Sequence, residues 1–259
     1  MNVRGDTIDE HMPAEIAVKL TVEELASRVQ GEMVPLGATF AYFPVMPLSE
    51  DELKQFLQEP IAALPPGICG ALPRVGILLA PYLERGNGKT GDLVSFDKPP
   101  EARQIYASRL VGPDSVTLAF AVKDEDLANY HYSFYNAIAA LIAGQEGGAA
   151  QERYYARLRE ELAQEVHGEV DERSWHLKQV LLRRSKNVRK ETKPFRAYAR
   201  QSLEDTLTLY LHGICCDIDV ETGPRQMPSR YLRKRLEMLI SLFPPPEGYA
   251  ALPEYPARR

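Results

Sequence analysis

The densest set of side chains able to do chemistry lies in "HGICCDIDVETGPRQ", His212 to Gln226. It offers an imidazole (His212), two adjacent thiols (Cys215, Cys216) and carboxylates at alternating positions (Asp217, Asp219, Glu221). Imidazole and thiolate are donors that zinc accepts. Alternating acids would fall on one side of an extended segment. The spacing speaks against a closed zinc site: there is no Cys-x-x-Cys pair and no second histidine nearby, and neighbouring cysteines reach one ion with difficulty. Neither a metal nor a cofactor is therefore expected. A nucleophilic cysteine needs a base brought close in space; His131, His167 and His176 are the histidines that could approach Cys215 or Cys216. His212, Cys215, Asp217 and Asp219 stand as the catalytic candidates. The plainer reading ends a core helix at Ile214 and Cys215, cysteine serving as a small hydrophobe, with Asp217 to Gly223 a loop.

The second candidate is a charge pattern. Residues 173–200 hold ten Lys/Arg and one Glu, whereas residues 1–60 hold four Lys/Arg and eleven Asp/Glu. Arg183, Arg184, Lys186, Arg189 and Lys190 crowd one end of the basic window. Lys193, Arg196 and Arg200 continue from Arg189 at helical spacing, and Phe195 and Tyr198 are interleaved where they could stack. Pro194 disfavours one continuous helix, so two helices meeting at a basic elbow are expected. Such a surface could hold nucleic acid or an acidic protein, or pair internally with the acidic N-terminal half.

Two further stretches resemble binding motifs in outline. "GILLAPYLERGNGKTGD" (Gly76 to Asp92) ends in Gly-Lys-Thr, as a phosphate-binding loop does, but Leu83 stands where that motif needs its first glycine, and "GDLVSFDKPP" follows where a helix is required. Asn87-Gly88 between two strand patterns is read instead as a hairpin turn with Lys89 at its tip. In "NYHYSFYN" (Asn129 to Asn136), aromatic rings could stack on bases, yet Tyr130, Phe134 and Ile138 recur at helical spacing and read as core.

The elements that must position these groups fall into an α+β arrangement: a mixed N-terminal domain with antiparallel strands (1–123), then a helical domain (124–243) with a linker at 144–150, then a proline-rich extended tail (244–259). Capping boxes at Thr21–Glu24 and Ser49–Glu52 start two helices. Strands are expected at Ala38–Met46, Arg74–Glu84, Asp92–Lys98, Arg103–Val111 and Ser115–Asp124. Helices follow: one with Asp124 as N-cap and Gly144 as stop, then "ERYYARLREELAQEV", "SWHLKQVLLRR", "PFRAYARQSLEDTLTLYLHGICC" and "PSRYLRKRLEMLISLF". In the last, Leu232, Leu236, Leu239 and Phe243 point inward, and Arg233, Lys234 and Glu237 outward.

Composition is that of an ordinary globular chain of 259 residues, 44% hydrophobic and 26% charged. No apolar run approaches the roughly 18 residues of a membrane span. The N-terminus lacks the order of a signal peptide, and three cysteines with one adjacent pair make a poor disulfide framework. A cytoplasmic protein is expected. The first functional reading is a non-enzymatic binding or assembly protein that holds a polyanionic or acidic partner on its basic helical surface, the tail packing on a neighbour. The alternative is a hydrolase-type enzyme with a metal or Cys/His/Asp site near residues 212–221.

Overall fold

The computed structural model describes residues 19–87, 90–145, 147–183, 191–216 and 227–250. Its class is α+β: sheets in the N-terminal half, helices in the C-terminal half. Five strands form the main sheet: β1 (Val34–Leu36), β2 (Phe40–Pro44), β3 (Arg74–Ala80), β7 (Ala107–Val111) and β8 (Ser115–Ala121), in the order β1-β2-β3-β8-β7. The outer pairs, β1 with β2 and β7 with β8, are antiparallel as expected. The three central strands are parallel, with Ile77 opposite Tyr42 on one side and Leu118 on the other. A second sheet, β5-β4-β6, is built from β4 (Tyr82–Glu84), β5 (Leu93–Ser95) and β6 (Gln104–Ile105).

Two of the expected strands are each split between the sheets. Arg74–Glu84 breaks at Pro81, which has no N–H to give a ladder, and Arg103–Val111 breaks at Tyr106. The central strands are buried on both faces, as parallel strands usually are. Leu78, Ala80, Ala119 and Ala121 face α1 (Val22–Val29), packing against its Val22, Leu25 and Val29. Ile77, Leu79, Leu118 and Phe120 belong to the main core on the opposite face. That core is continuous from Phe40 to Phe243 and so draws on both halves of the chain.

Local sequence places the helices. Both capping boxes form, Thr21 with Glu24 and Ser49 with Glu52. The second opens a continuous run of α2 (Glu50–Leu53), a π-helical turn (Lys54–Gln58) and α3 (Glu59–Ala62). Pro60 supplies no N–H, so the carbonyls of Gln55 and Phe56, one helical turn earlier, must find partners elsewhere. Helix α4 covers Pro66–Ala71. Helix α5 (Leu127–Ala143) is capped by Asp126, whose side chain accepts from the Ala128 N–H. Asp124, expected as the cap, instead takes φ 60° in the preceding turn and accepts from the Tyr82 hydroxyl. Gly144 closes α5 as expected.

Helices α6 (Ala149–Ala163), α7 (Glu172–Leu182), α8 (Lys193–Cys216) and α9 (Ser229–Leu242) follow. Leu232, Leu236, Leu239 and Phe243 are buried as the α9 pattern requires. Between these helices lies a fully buried ionic cluster. Arg235 donates to Glu161 and Glu169, Lys178 donates to Glu169, and Tyr154 and Ser202 accept from Arg235. Two buried cations face two buried carboxylates, the partly exposed Arg157 lies 3.9 Å from Glu161 at the edge, and each buried polar group is bonded, the condition on which buried charge is tolerated. Burial alone would raise the Glu169 carboxyl, but Arg235 and then Lys178 hold it down to about 2.

A candidate thiol–imidazole site

Helix α8 ends in Cys215 and Cys216, both half-buried. Across from them, α5 carries His131, buried to 5% exposure. His131 Nδ1 lies 3.2 Å from Cys216 Sγ, and its Nε2 lies 2.9 Å from the Gln55 carbonyl oxygen. A carbonyl only accepts, so Nε2 carries the proton and Nδ1 is left to receive one from the thiol. The Gln55 carbonyl is free for this because Pro60 offers it no N–H. The same gap serves a neighbour on α5, the Tyr130 hydroxyl donating to the Phe56 carbonyl at 2.7 Å; Tyr135 donates at 3.0 Å to the Pro60 carbonyl, left open where α3 ends and the Leu64 N–H turns to Ile61. One proline in an N-terminal helix thus fixes the tautomer and orientation of a histidine on another helix.

The donor atoms of His131, Cys215 and Cys216 all lie within 4.8 Å of one another. They open onto a cavity of about 540 Å³, also lined by Glu59, Leu127, Ala128 and Tyr249. The two thiols titrate together. The hydrogen bond between the two sulfurs eases loss of the pair's first proton against the cost of burial, with Tyr135 and His131 assisting, and the same bond holds the second proton on. The pair therefore gives up one proton near neutrality and holds the second. Position at the C-terminus of α8 disfavours a thiolate, so His131 and the first turn of α5, where Leu127 and Ala128 line the cavity, must supply the compensation. A disulfide between the two is disfavoured: adjacent Cα atoms sit about 3.8 Å apart, short of the usual disulfide span.

The remaining candidates are placed differently. His212 is 8% exposed and does not line this cavity. It sits among the rings of Tyr132 and Tyr135, and burial followed by the nearby His131 lowers it to about 4, which keeps it neutral. Asp217 and Asp219 lie outside the described residues. His167 is exposed, and His176 pairs with Glu172 on α7. Of the basic surface, Arg184, Lys186, Arg189 and Lys190 lie outside the described residues. Arg183 caps the C-terminus of α7, and Lys193, Arg196 and Arg200 are exposed on α8. Phe195 and Tyr198 are wholly buried and cannot stack on a base; Arg159 lies over Phe195 instead. Lys178, a member of the basic window, belongs to the buried ionic cluster.

The phosphate-loop resemblance resolves as a hairpin. β4 pairs antiparallel with β5, Leu83 opposite Val94, and Thr90 leads into strand rather than helix. Gly88 and Lys89 lie outside the described residues. Gly86 is required there, because a Cβ on it would stand 2.1 Å from the Thr90 carbonyl oxygen.

The sequence named His131 as one of three histidines that could reach the thiols but had no means of choosing it. A usable signal was Pro60 inside a helical stretch, which announces carbonyls in want of donors. No protein-family model, curated protein or solved structure matches this chain.

Proposed function

We propose that the chain is a thiol-dependent enzyme of the acyl-transfer or hydrolase type, with Cys216 as nucleophile and His131 as its base. The observation that carries this reading is the relay Cys216 Sγ, His131 Nδ1, His131 Nε2, Gln55 carbonyl, with contacts of 3.2 and 2.9 Å. Nucleophile, base and orienting group are the three parts such a site needs. The Cys216 proton passes to His131 Nδ1, and the thiolate attacks the carbonyl carbon of an ester, thioester or amide. The leaving group takes the proton from His131 as the acyl–sulfur bond forms. Water then attacks, His131 accepts its proton, and the thiol is regenerated as the carboxylic acid departs. Cys215 serves as the hydrogen-bonding neighbour of Cys216.

A second reading, a soft divalent metal held by His131, Cys215 and Cys216 with a fourth position open, is favoured by the clustering of three donors within 4.8 Å. It asks more of the site, since thiolates at about 2.3 Å from one ion would draw the donors closer together. Separately, the exposed Arg183, Lys193, Arg196 and Arg200 remain a proposed surface for an acidic partner, and the tail, residues 244–259, a proposed assembly element.

Iodoacetamide alkylation, followed residue by residue with mass spectrometry between pH 5 and 9, tests the site. Cys69 is the internal control, its thiol raised by burial. One thiol of the Cys215–Cys216 pair is expected to react at least tenfold faster than Cys69 at pH 7, and His131→Ala to remove that advantage. Unchanged reactivity in His131→Ala refutes the relay. Protection of both thiols by one equivalent of zinc that survives dialysis replaces the nucleophile with the metal reading.

A further inference from the structure

A different cavity, of about 410 Å³, lies where the edge strand β7 meets α5, α7 and α8. Three of these elements each bring an arginine to its wall: Arg109 from β7, Arg173 from α7 and Arg200 from α8. Among the described residues, no hydrogen bond or ion pair engages any of the three guanidinium groups. Glu204, one turn along α8 from Arg200, also lines the cavity. It is 8% exposed on the cavity wall. Arg109, Arg173, Arg200 and Glu204 are the charged groups lining the cavity, a formal balance of +2. The neutral polar lining is fixed in part: Gln201 donates to Asp205 at 2.7 Å, and Asn136 donates to Thr208 at 3.3 Å.

Three guanidinium side chains lining one cavity give it a positive potential that favours an anion. Guanidinium forks match the oxygens of phosphate in particular. A carboxylate on the same wall suits the opposite, a ligand group that donates a hydrogen bond. We infer that this cavity binds a small phosphate monoester on a hydroxylated skeleton, the phosphate held by Arg109, Arg173 and Arg200 and a ligand hydroxyl donating to Glu204. The volume suits a small ligand. The concavity and the inward acid distinguish the site from a convex strip of positive charge that would follow a nucleic acid backbone. Arg200 is shared with the basic surface read from the sequence, so that surface narrows here to a small-anion site.

Calorimetric titration at fixed low ionic strength tests the assignment, with ribose 5-phosphate, inorganic phosphate and ribose as separate probes. Ribose 5-phosphate is expected to bind at least tenfold more tightly than inorganic phosphate, and ribose not to bind. Arg173→Ala/Arg200→Ala, both at exposed positions, is expected to weaken ribose 5-phosphate at least a hundredfold with its circular dichroism spectrum unchanged. Glu204→Gln is expected to keep inorganic phosphate and lose most of the preference for the sugar phosphate. Absence of ribose 5-phosphate binding, or binding unaltered in the double variant, overturns the proposal. So does binding of a single-stranded RNA 20-mer that the double variant abolishes while ribose 5-phosphate fails to bind.

Discussion

Asp205 should be a carboxylate that the fold holds at a loss. It lies on α8 at 7% exposure, its Oδ1 accepts from Gln201 at 2.7 Å, and its Oδ2 has no partner among the described residues. Burial raises it to about 6, opposed by the neighbouring Ser174 hydroxyl and the Gln201 hydrogen bond. An acid whose folded pKa lies above its unfolded value stabilises the fold in full below the unfolded pKa, near 3.9, and loses that contribution as pH rises through the folded one. Two units correspond to about 3 kcal/mol lost by pH 7. Asp205→Asn abolishes the ionisation and keeps an oxygen for Gln201, but places an amide NH₂ where Oδ2 was, at about 1–2 kcal/mol if unpaired. The variant is therefore expected to be about 1–2 kcal/mol more stable than wild type at pH 7 and about as much less stable at pH 4. His212 runs the other way. Its folded value near 4 lies below the unfolded value near 6.5, so its contribution is full above 6.5 and fades as pH falls toward 4. The two slopes offset in wild type, and Asp205→Asn uncovers that of His212. Urea unfolding midpoints at half-unit steps from pH 4 to 7.5 measure both. A variant less stable than wild type at pH 7 would show that the Asp205 carboxylate is paired, and the reasoning would fail.

Two other substitutions probe the frame. Arg235→Met leaves Glu169 facing Lys178 and Glu161 facing only the partly exposed Arg157 at 3.9 Å, and a loss of about 3–5 kcal/mol is expected in urea unfolding; a cost below about 1 kcal/mol would mean the acids take up protons or water at little expense. Gly86→Ala drives a Cβ to 2.1 and 2.2 Å from the carbonyl oxygens of Thr90 and Gly91; a drop of at least about 2 kcal/mol is expected, and an unchanged melting temperature would mean that the β4–β5 connection rearranges freely.

What could be read along the chain was local. The Thr21 and Ser49 capping boxes, the Leu232–Leu236–Leu239 stripe and the strand–turn–strand at Asn87 each depend on residues within a few positions of one another. What stayed hidden depended on distance. β3 and β8 pair in parallel although Arg74 and its partner Ser115 are separated by four intervening strands, and no local turn signals that. His131 meets Cys216 across 85 positions. Arg235 was legible in principle: it lies three residues after Leu232 and four before Leu239, on the apolar face of α9, where a charge must be paired. Reading Phe195 and Tyr198 as rings that could stack beside the basic elbow failed for the related reason that aromaticity does not say which way a side chain faces.

The continuity of the core has a consequence for how the chain is made. Ile77, Leu79, Leu118 and Phe120 share that core with Tyr210, Leu211 and Phe243. On the ribosome, the first half emerges with one broad face of its sheet still wet. At roughly 5–20 residues per second, about 5–20 s pass between the release of β8 and the release of α8. During that interval α5 has settled on β7 and β8 but lacks α8, the helix it packs against most, so its outer apolar face is what the factors that bind such surfaces can reach.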